Sequence, residues 1–212
     1  MKKNIKIAIL GGGGRTGKIL VTQLINQGYS LKLLLRNPEN FTIQSPLIEV
    51  LKGDAIDAES IRFLIQDCQA VISTVGQRKD ESLVFSRATI NVLNSMVEFR
   101  IKRYILLAGL NVDTPFDKKS LKTSIATQWM KTNFPRSHAD RQKAYSILSK
   151  SNVNWTLVRV PLIKFSSVKG KIIVNLEDCK GDKISGIDIA TFLIEQLFDK
   201  RYIKKAPFIA NH

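Results

Sequence analysis

A cluster of glycines near the start of the chain stands between two apolar segments. Gly11, Gly14 and Gly17 follow an apolar run, Lys6–Leu10, and precede an amphipathic segment at 18–27. A strand, a glycine turn and a helix in this order point backbone N–H groups and the positive end of the helix at a phosphate. Gly11 allows the sharp turn, Gly14 lets the backbone approach a pyrophosphate, and Gly17 lets the helix pack closely. The pattern predicts a dinucleotide-binding turn, and its flanks disfavour the alternative of a flexible glycine-rich loop.

An arginine stands where the second predicted strand ends. Residues 30–36 form a leucine-rich run, and Pro38 stops it. In dinucleotide sites an acid near this place holds the ribose 2′-hydroxyl of NAD, whereas an arginine accommodates the 2′-phosphate of NADP. Arg36 occupies the place and Arg15, within the glycine turn, is a second cation. The sequence therefore predicts NADP(H) in preference to NAD(H), with a surface charge at a strand end as the alternative for Arg36.

The rest of the chain alternates between predicted strands and predicted helices. Further strands are expected at 47–52, at 70–76, where the strand runs into a turn, and at 103–107, 154–160, 171–174 and 207–210. Helices are expected after Asp57, which can cap one, and at 82–100, 124–131, 137–150 and 186–198. This alternation predicts an α/β fold of the Rossmann-like, doubly wound type, with a mostly parallel sheet and helices on both faces.

Small and polar residues recur where these strands end, which is the edge at which doubly wound sheets bind ligands. Asp54 follows the third strand and could meet an adenine amino group, although a simple turn residue explains it equally well. The candidates placed at this edge, together with neighbouring turn residues, are Gly11, Gly13, Gly14, Arg15, Thr16, Gly17, Arg36, Asp54, Ala55, Thr74, Val75, Gly76, Ala108 and Gly109.

The chain resembles the NAD(P)-binding, NmrA-like branch of the atypical short-chain dehydrogenases, which includes flavin reductase/biliverdin reductase B-like proteins. The segments that carry the likeness are 6–17, 35–38, 53–55, 75–76, 155–161 and 188–190. The resemblance implies that the glycine turn holds the pyrophosphate, Arg36 favours NADP, Asp54 meets adenine and Gly76 meets the ribose. It also implies that Ala108, Gly109 and Pro161 line the nicotinamide and the substrate.

The catalytic pattern of short-chain dehydrogenases does not carry over. These enzymes use a Tyr-x-x-x-Lys pair that passes a proton to an alkoxide. None of the tyrosines here has a lysine four residues later, and Ser137 and Arg141 occupy the places of the pair when counted back from Trp155. Arginine keeps its proton at neutral pH, and serine is a poor acid without an activating base. Ser137 and Arg141 are the catalytic candidates, but ordinary alcohol–ketone chemistry lacks its proton donor.

This departure leaves two functions of different class. One is an NADPH-dependent reductase of a flat acceptor such as a flavin or a quinone, because the anion formed is delocalised and water can protonate it. Arg141 would then stabilise that anion. The alternative is a non-catalytic regulator that senses NADP(H) and acts through a protein partner.

The amino-acid composition indicates a globular protein. With 44% hydrophobic and 24% charged residues, the chain is expected to be one globular NAD(P)-binding domain over residues 1–212. Segments 111–136 and 161–185 are expected to form a small lobe on the substrate side. The cysteines, Cys68 and Cys179, lack metal-ligand spacing, so no metal site and a cytoplasmic location are expected. The apolar run after Lys2 and Lys3 is too short for a signal peptide.

The net charge of +15 concentrates in the middle third of the chain. Between Arg100 and Lys150 there are 11 basic and 3 acidic residues. A solvated basic surface that draws an anionic cofactor is favoured over a nucleic-acid partner, because the cations are dispersed among apolar residues. No membrane partner is expected, since no apolar stretch approaches about 18 residues.

Three single residues in this half receive structural interpretations. Trp155 is expected in the core. Asp140 is expected to pair with Arg136 or Lys143 at helical spacing. His138 is expected to be a surface or packing residue, although its place near Arg141 keeps it as a proton-donor candidate.

Overall fold

The computed structural model describes residues 5–76, 84–166 and 168–212. Within these residues the strands, numbered β1 to β10 in chain order, are Lys6–Leu10, Ser30–Leu35, Ile48–Lys52, Ala70–Ser73, Arg103–Gly109, Asn154–Val160, Leu162–Lys164, Ile172–Asn175, Lys183–Ser185 and Phe208–Asn211. The helices, α1 to α6, are Arg15–Asn26, Ala58–Ile65, Val84–Glu98, Leu121–Asn133, Pro135–Ser149 and Gly186–Glu195. The predicted start of the third helix, at Ser82, lies outside the described residues.

The main sheet has eight strands in the order β3-β2-β1-β4-β5-β6-β10-β8. All neighbours pair in parallel except β8, which runs antiparallel to β10. The chain winds outward from β1 to β3, then returns to β4 on the other side of β1. This confirms the doubly wound α/β fold and places the reversal of strand order between β1 and β4, where such sheets open a crevice for a ligand.

Helices cover both faces of the sheet, so its strands are apolar on both sides. Ile7 and Ile9 of β1 pack with Leu20 of α1 and Ile189 of α6 in one core cluster. Ala8 and Leu10 of the same strand belong to a second cluster with residues of α2, α3 and α5. Trp155 is buried in that second cluster, as predicted. None of the helices in the described part of the chain is long and apolar enough to cross a membrane.

Several helices differ by one to three residues from their predicted bounds, and two of these differences have a visible cause. Helix α1 begins at Arg15 rather than residue 18, because Gly14 takes the extended N-cap conformation directly after the turn. Helix α4 covers 13 residues rather than the short span 124–131, because Ser120 caps it and accepts a hydrogen bond from the Thr123 N–H. A small parallel sheet of β7 and β9 was not predicted, since strands of three residues carry too little pattern.

The predicted pairing of Asp140 with Arg136 or Lys143 is wrong. The Asp140 carboxylate is buried and accepts hydrogen bonds from the backbone N–H groups of Phe85 (2.8 Å) and Ser86 (3.2 Å). It therefore satisfies the first turn of α3 from the neighbouring helix α5. An acid at this end of a helix also meets the positive end of its dipole.

Two apolar residues of α3 do not face the core. Ile90 and Val97 are exposed, whereas Val92, Leu93 and Met96 are buried. The helix packs between α2 and α5, and the contact stripe is narrower than the run of apolar residues in the sequence.

The segments 111–136 and 161–185 contact each other, and their assignment to a substrate-side lobe stays a prediction. Lys118 forms an ion pair with Glu177 at 2.6 Å, and its N–H donates to the carbonyl of the same residue at 2.9 Å. Ser120 donates to Asp178 at 3.3 Å, and Lys122 pairs with Asp182. These contacts hold α4 against the connection between β8 and β9.

Candidate functional site

A cavity of about 540 Å³ opens at the carboxyl ends of β1 to β4, at the reversal of strand order. Eight predicted site residues lie on its wall, namely Gly11, Gly13, Gly14, Arg36, Ala55, Thr74, Val75 and Gly76. Sequence reasoning missed the rest of the wall, Leu10, Leu34, Leu35, Asn37, Asn40, Phe41 and Gly53. Asn40 belongs to a short 3-10 turn, Pro38–Asn40, which is too short for the spacing of apolar residues to predict it.

The glycine turn needs its glycines for packing as well as for a ligand. Gly11 has a φ of +78°, and a Cβ there would lie 2.6 Å from the carbonyl carbon of Thr74. A Cβ on Gly17 would lie 2.8 Å from the carbonyl carbon of Gly11 and from the Cα of Gly12. Both contacts are with backbone, which cannot rotate aside. The positions predicted for the sharp turn and for close helix packing therefore have the geometry that those roles require.

The start of α1 is left available to an anion. Gly14 is the N-cap residue and offers no side chain to cap the first turn, which also contains no acid. Helix N-termini with unsatisfied N–H groups attract phosphate through hydrogen bonds and the helix dipole. Gly14 and Gly13 are exposed on the cavity wall, so these donors border the space that a pyrophosphate would occupy.

The two predicted cations lie in different places. Arg36 follows β2 on the cavity wall, where its side chain is exposed. The Arg15 guanidinium instead lies over the Phe165 ring, 4.3 Å from its centroid. A cation on an aromatic face is stabilised there. The structure thus places Arg36 on the cavity wall and holds Arg15 against the segment that follows β7.

Asp54 and Thr16 border the cavity without lining it. The Asp54 carboxylate accepts a hydrogen bond from the Ile56 N–H at 3.1 Å, which is the geometry of a turn residue. Its neighbours Gly53 and Ala55 do line the cavity. Thr16 is buried within the first turn of α1.

The predicted nicotinamide end is formed by the ends of β5 and β6. Ala108 and Pro161 are buried, and Gly109 ends β5. A Cβ on Gly109 would lie 2.5 Å from Oδ1 of Asn111, so this glycine makes room for the asparagine side chain. A second, smaller cavity of about 30 Å³ lies beside Ala108, and Val75 lines both cavities.

Arg141 lies on the wall of this smaller cavity. Its guanidinium stacks over the Phe85 ring, 3.8 Å from the centroid. Burial lowers the pKa of Arg141 to about 10, with the negative charge of Asp140 opposing that shift. The group therefore remains a cation at neutral pH. Ser137, one turn earlier on α5, is buried.

Asn111 and His138 form a polar pair that sequence reasoning missed. Asn111 Nδ2 lies 3.2 Å from His138 Nδ1, and Asn111 is buried at the end of β5. An amide NH₂ only donates, so His138 Nδ1 accepts and the ring proton is assigned to Nε2. Burial lowers the pKa of His138, which keeps the ring neutral at neutral pH. Its partner lies 27 residues away in sequence, and no local pattern could have identified it.

The loop after β5 is fixed to the helices that follow it. Gln142 of α5 exchanges two hydrogen bonds with the backbone of Asp113, at 2.8 and 2.9 Å. The buried Lys119 ammonium donates to the carbonyl of Leu110, to Asp113 and to Thr127 of α4. The nicotinamide end is therefore bordered by a hydrogen-bonded loop.

The chain was compared with known families and proteins. A family model described as NAD(P)H-binding matches residues 11–200. An uncharacterised chloroplastic protein of Arabidopsis thaliana is 22% identical over 186 residues, covering 83% of this chain and 65% of that protein. An isoflavone reductase homolog of Nicotiana glauca is 33% identical over 110 residues, covering 47% of this chain and 34% of that protein. The chain thus spans about two thirds of the first relative and about one third of the second.

Solved structures show the same fold at low sequence identity. An oxidoreductase from Lactococcus lactis superposes with a TM-score of 0.81 at 20% identity, covering 98% of this chain and 91% of that chain. A short-chain dehydrogenase/reductase from Veillonella parvula, solved in complex with NADP, gives a TM-score of 0.81 at 15% identity, covering 98% and 94%. At these identities the likeness establishes the architecture.

Proposed function

Because the chain belongs to the NAD(P)H-binding family, we propose that it is an NADP(H)-dependent reductase whose acceptor is a flat molecule such as a flavin or a quinone. The proposal rests on the cavity at the reversal of strand order between β1 and β4. The uncapped start of α1 and the side chain of Arg36 both lie on the wall of this cavity. The backbone N–H groups at the start of α1 can donate hydrogen bonds to a pyrophosphate, and the Arg36 guanidinium can bind a 2′-phosphate.

The preference for NADP(H) rests on the chemistry at the end of β2. Arg36 is accompanied on the wall by Asn37 and Asn40, so the three polar side chains here are a cation and two amides. None carries the negative charge that would repel a phosphate. A charge-assisted hydrogen bond from a guanidinium contributes about 1.5–3 kcal/mol. The structural relative from Veillonella parvula was solved with NADP.

Reversing the charge of Arg36 tests this preference. Arg36→Asp should weaken NADPH binding about ten- to hundredfold more than NADH binding. Lys102→Asp makes the same charge change at an exposed position just before β5, at the amino ends of the strands and away from the cavity. It should weaken the binding of NADPH and of NADH equally and only slightly. Equal losses of NADPH and NADH in Arg36→Asp would contradict a contact with the 2′-phosphate.

For the reaction, the chain would hold the nicotinamide and the acceptor side by side and supply one cation, Arg141. NADPH, when bound, supplies a hydride. Ala108, Gly109 and Pro161 are small or compact residues at the ends of β5 and β6, where we expect the nicotinamide and the acceptor to bind. The Arg141 cation beside Ala108 would stabilise negative charge on a reduced flavin or quinone. Such an anion is delocalised, so a positioned tyrosine acid is not needed.

Steady-state kinetics test the reductase. The purified protein should oxidise NADPH in the presence of flavins or quinones, and Arg141→Ala should lower kcat more than it raises KM. Arg141→Lys keeps a charge and should retain more of the kcat. A thermal melt of each variant separates this effect from loss of the packing on Phe85. NADPH binding without turnover on any acceptor would contradict the reductase and leave a regulator.

A further inference from the structure

Helix α4 turns large apolar residues towards solvent and small polar residues towards the protein, the reverse of the usual arrangement in a globular domain. The residues that it buries fully are two threonines, Thr123 and Thr127. Three large apolar residues spaced four apart point outward, with exposed fractions of 78% for Leu121, 60% for Ile125 and 55% for Trp129. The spacing places these three side chains in one stripe along the helix. An exposed apolar stripe of this kind marks a surface that binds something.

The stripe continues beyond the end of the helix. Phe134, 48% exposed, packs edge-to-face against Trp129 with their ring centroids 5.6 Å apart. Tryptophan, whose ring is largely apolar but carries an N–H donor, is a residue that proteins place at the boundary between water and lipid. Phenylalanine and leucine accompany it on the apolar face of interfacial helices. We call the surface formed by Leu121, Ile125, Trp129 and Phe134 the α4 face.

The α4 face lies in the most basic part of the chain. From Lys118 to Ala139 there is no Asp or Glu, and there are five basic residues, Lys118, Lys119, Lys122, Lys131 and Arg136. Lys118 and Lys122 form exposed ion pairs with Glu177 and Asp182, and Lys119 is buried. Exposed pairs of this kind contribute little and yield to stronger partners. Lys131 and Arg136 are exposed in the same basic segment, in a chain of net charge +15.

We propose that the α4 face is a docking surface for an anionic lipid membrane, on which the protein lies peripherally with Leu121, Ile125, Trp129 and Phe134 in the headgroup region. An exposed apolar stripe with an aromatic pair, within a basic segment of the chain, matches an interfacial helix, which needs no membrane-spanning length. The expectation of no membrane partner rested on the lack of a spanning segment, and an interfacial helix does not need one. The docking surface does not depend on which acceptor the proposed reductase uses.

A second copy of this chain fits the α4 face less well. A symmetric contact would bring the same basic segment of two chains together, each chain with a net charge of +15. Like charges across an interface oppose association. An anionic lipid surface instead attracts the basic residues and accepts the apolar ones, so it satisfies both features of the surface.

Vesicle binding tests the proposal. The protein should sediment with vesicles of phosphatidylcholine mixed with phosphatidylglycerol and remain in solution with pure phosphatidylcholine, and raising the salt should release it. The variant Leu121→Ser/Ile125→Ser/Trp129→Ser should bind at least about tenfold more weakly. The control Phe63→Ser/Val97→Ser removes two exposed apolar side chains elsewhere, on α2 and α3, and should bind as the unmodified protein does. Thermal melts should show both variants folded, because all five positions are exposed.

Tryptophan fluorescence gives a second readout on the unmodified protein. The chain has two tryptophans, and Trp155 is buried, so a change in exposure reports on Trp129. Adding the anionic vesicles should shift the emission to shorter wavelength. Three results would overturn the proposal: no binding to anionic vesicles, equal binding by the triple variant, or the same emission shift on concentrating the protein without lipid. The last result would identify a second copy as the occupant.

Discussion

Alanine substitutions along the glycine turn should separate the fold of the turn from its use as a binding site. A Cβ on Gly14 would lie 3.4 Å from the nearest atom, the Gly11 carbonyl oxygen, at the limit of ordinary contact. The backbone there has a φ of −74°, which alanine adopts readily. Gly14→Ala should therefore fold with nearly unchanged stability. It should lose NADPH binding, because the added methyl group occupies the space that the pyrophosphate needs.

Gly17→Ala should act on the fold itself. Its Cβ would overlap the backbone of Gly11 and Gly12, which cannot move without opening the turn. Overpacking costs about 1–3 kcal/mol, and backbone contacts put the cost at the upper end. The better helix propensity of alanine returns about 1 kcal/mol. The free energy of unfolding should fall by about 2 kcal/mol, which lowers Tm by about 4–8 °C in a domain of this size.

Gly12→Ala is the matched control for both variants. A Cβ at Gly12 would meet only side-chain carbons, at 3.4 to 3.6 Å, so stability and NADPH affinity should both stay close to those of the unmodified protein. Thermal unfolding by circular dichroism and NADPH titration by calorimetry measure the two effects on each variant. Full NADPH affinity in Gly14→Ala would refute the placement of the pyrophosphate at the start of α1.

Three further changes test contacts outside the turn. Asp117→Ala should lower the free energy of unfolding by about 3–5 kcal/mol, because it leaves the fully buried Arg159 guanidinium, 2.7 Å away, without its counter-ion. Asp140→Ala should cost about 1–2 kcal/mol through loss of the cap on α3, as measured by denaturant unfolding. Burial would raise the pKa of Asp178, but hydrogen bonds, chiefly with Thr123, hold it at about 2. Because the folded pKa lies below the usual 3.8, Asp178 stabilises the protein above about pH 4 and this contribution is lost towards pH 2, so Asp178→Asn should flatten acid unfolding in that range.

The parts of the fold that sequence predicted are those whose signals are local. The glycine turn stands between a strand and a helix, and Arg36 follows the next strand, so spacing alone placed them at one edge. Asp57 caps α2 and accepts from the Ser60 N–H, as its position before an apolar stripe predicted. Each of these features depends on a few neighbouring residues.

The parts that sequence missed depend on contacts between distant segments or on faces turned outward. Asp140 caps a helix that begins more than 50 residues earlier in the chain, and nothing beside it indicates that partner. Asn111 and His138 meet only after the loop folds over α5. Helix α4 was predicted too short because its apolar stripe faces solvent, and it buries threonines where a core-facing helix buries leucines.

A calorimetric titration of the unmodified protein with NADPH and, separately, with NADH tests directly whether the chain holds a dinucleotide site. The geometry of the cavity predicts one nucleotide per chain, bound more tightly as NADPH because Arg36 lies on the cavity wall. Binding of neither nucleotide would contradict the central claim that the start of α1 and the end of β2 form a dinucleotide site.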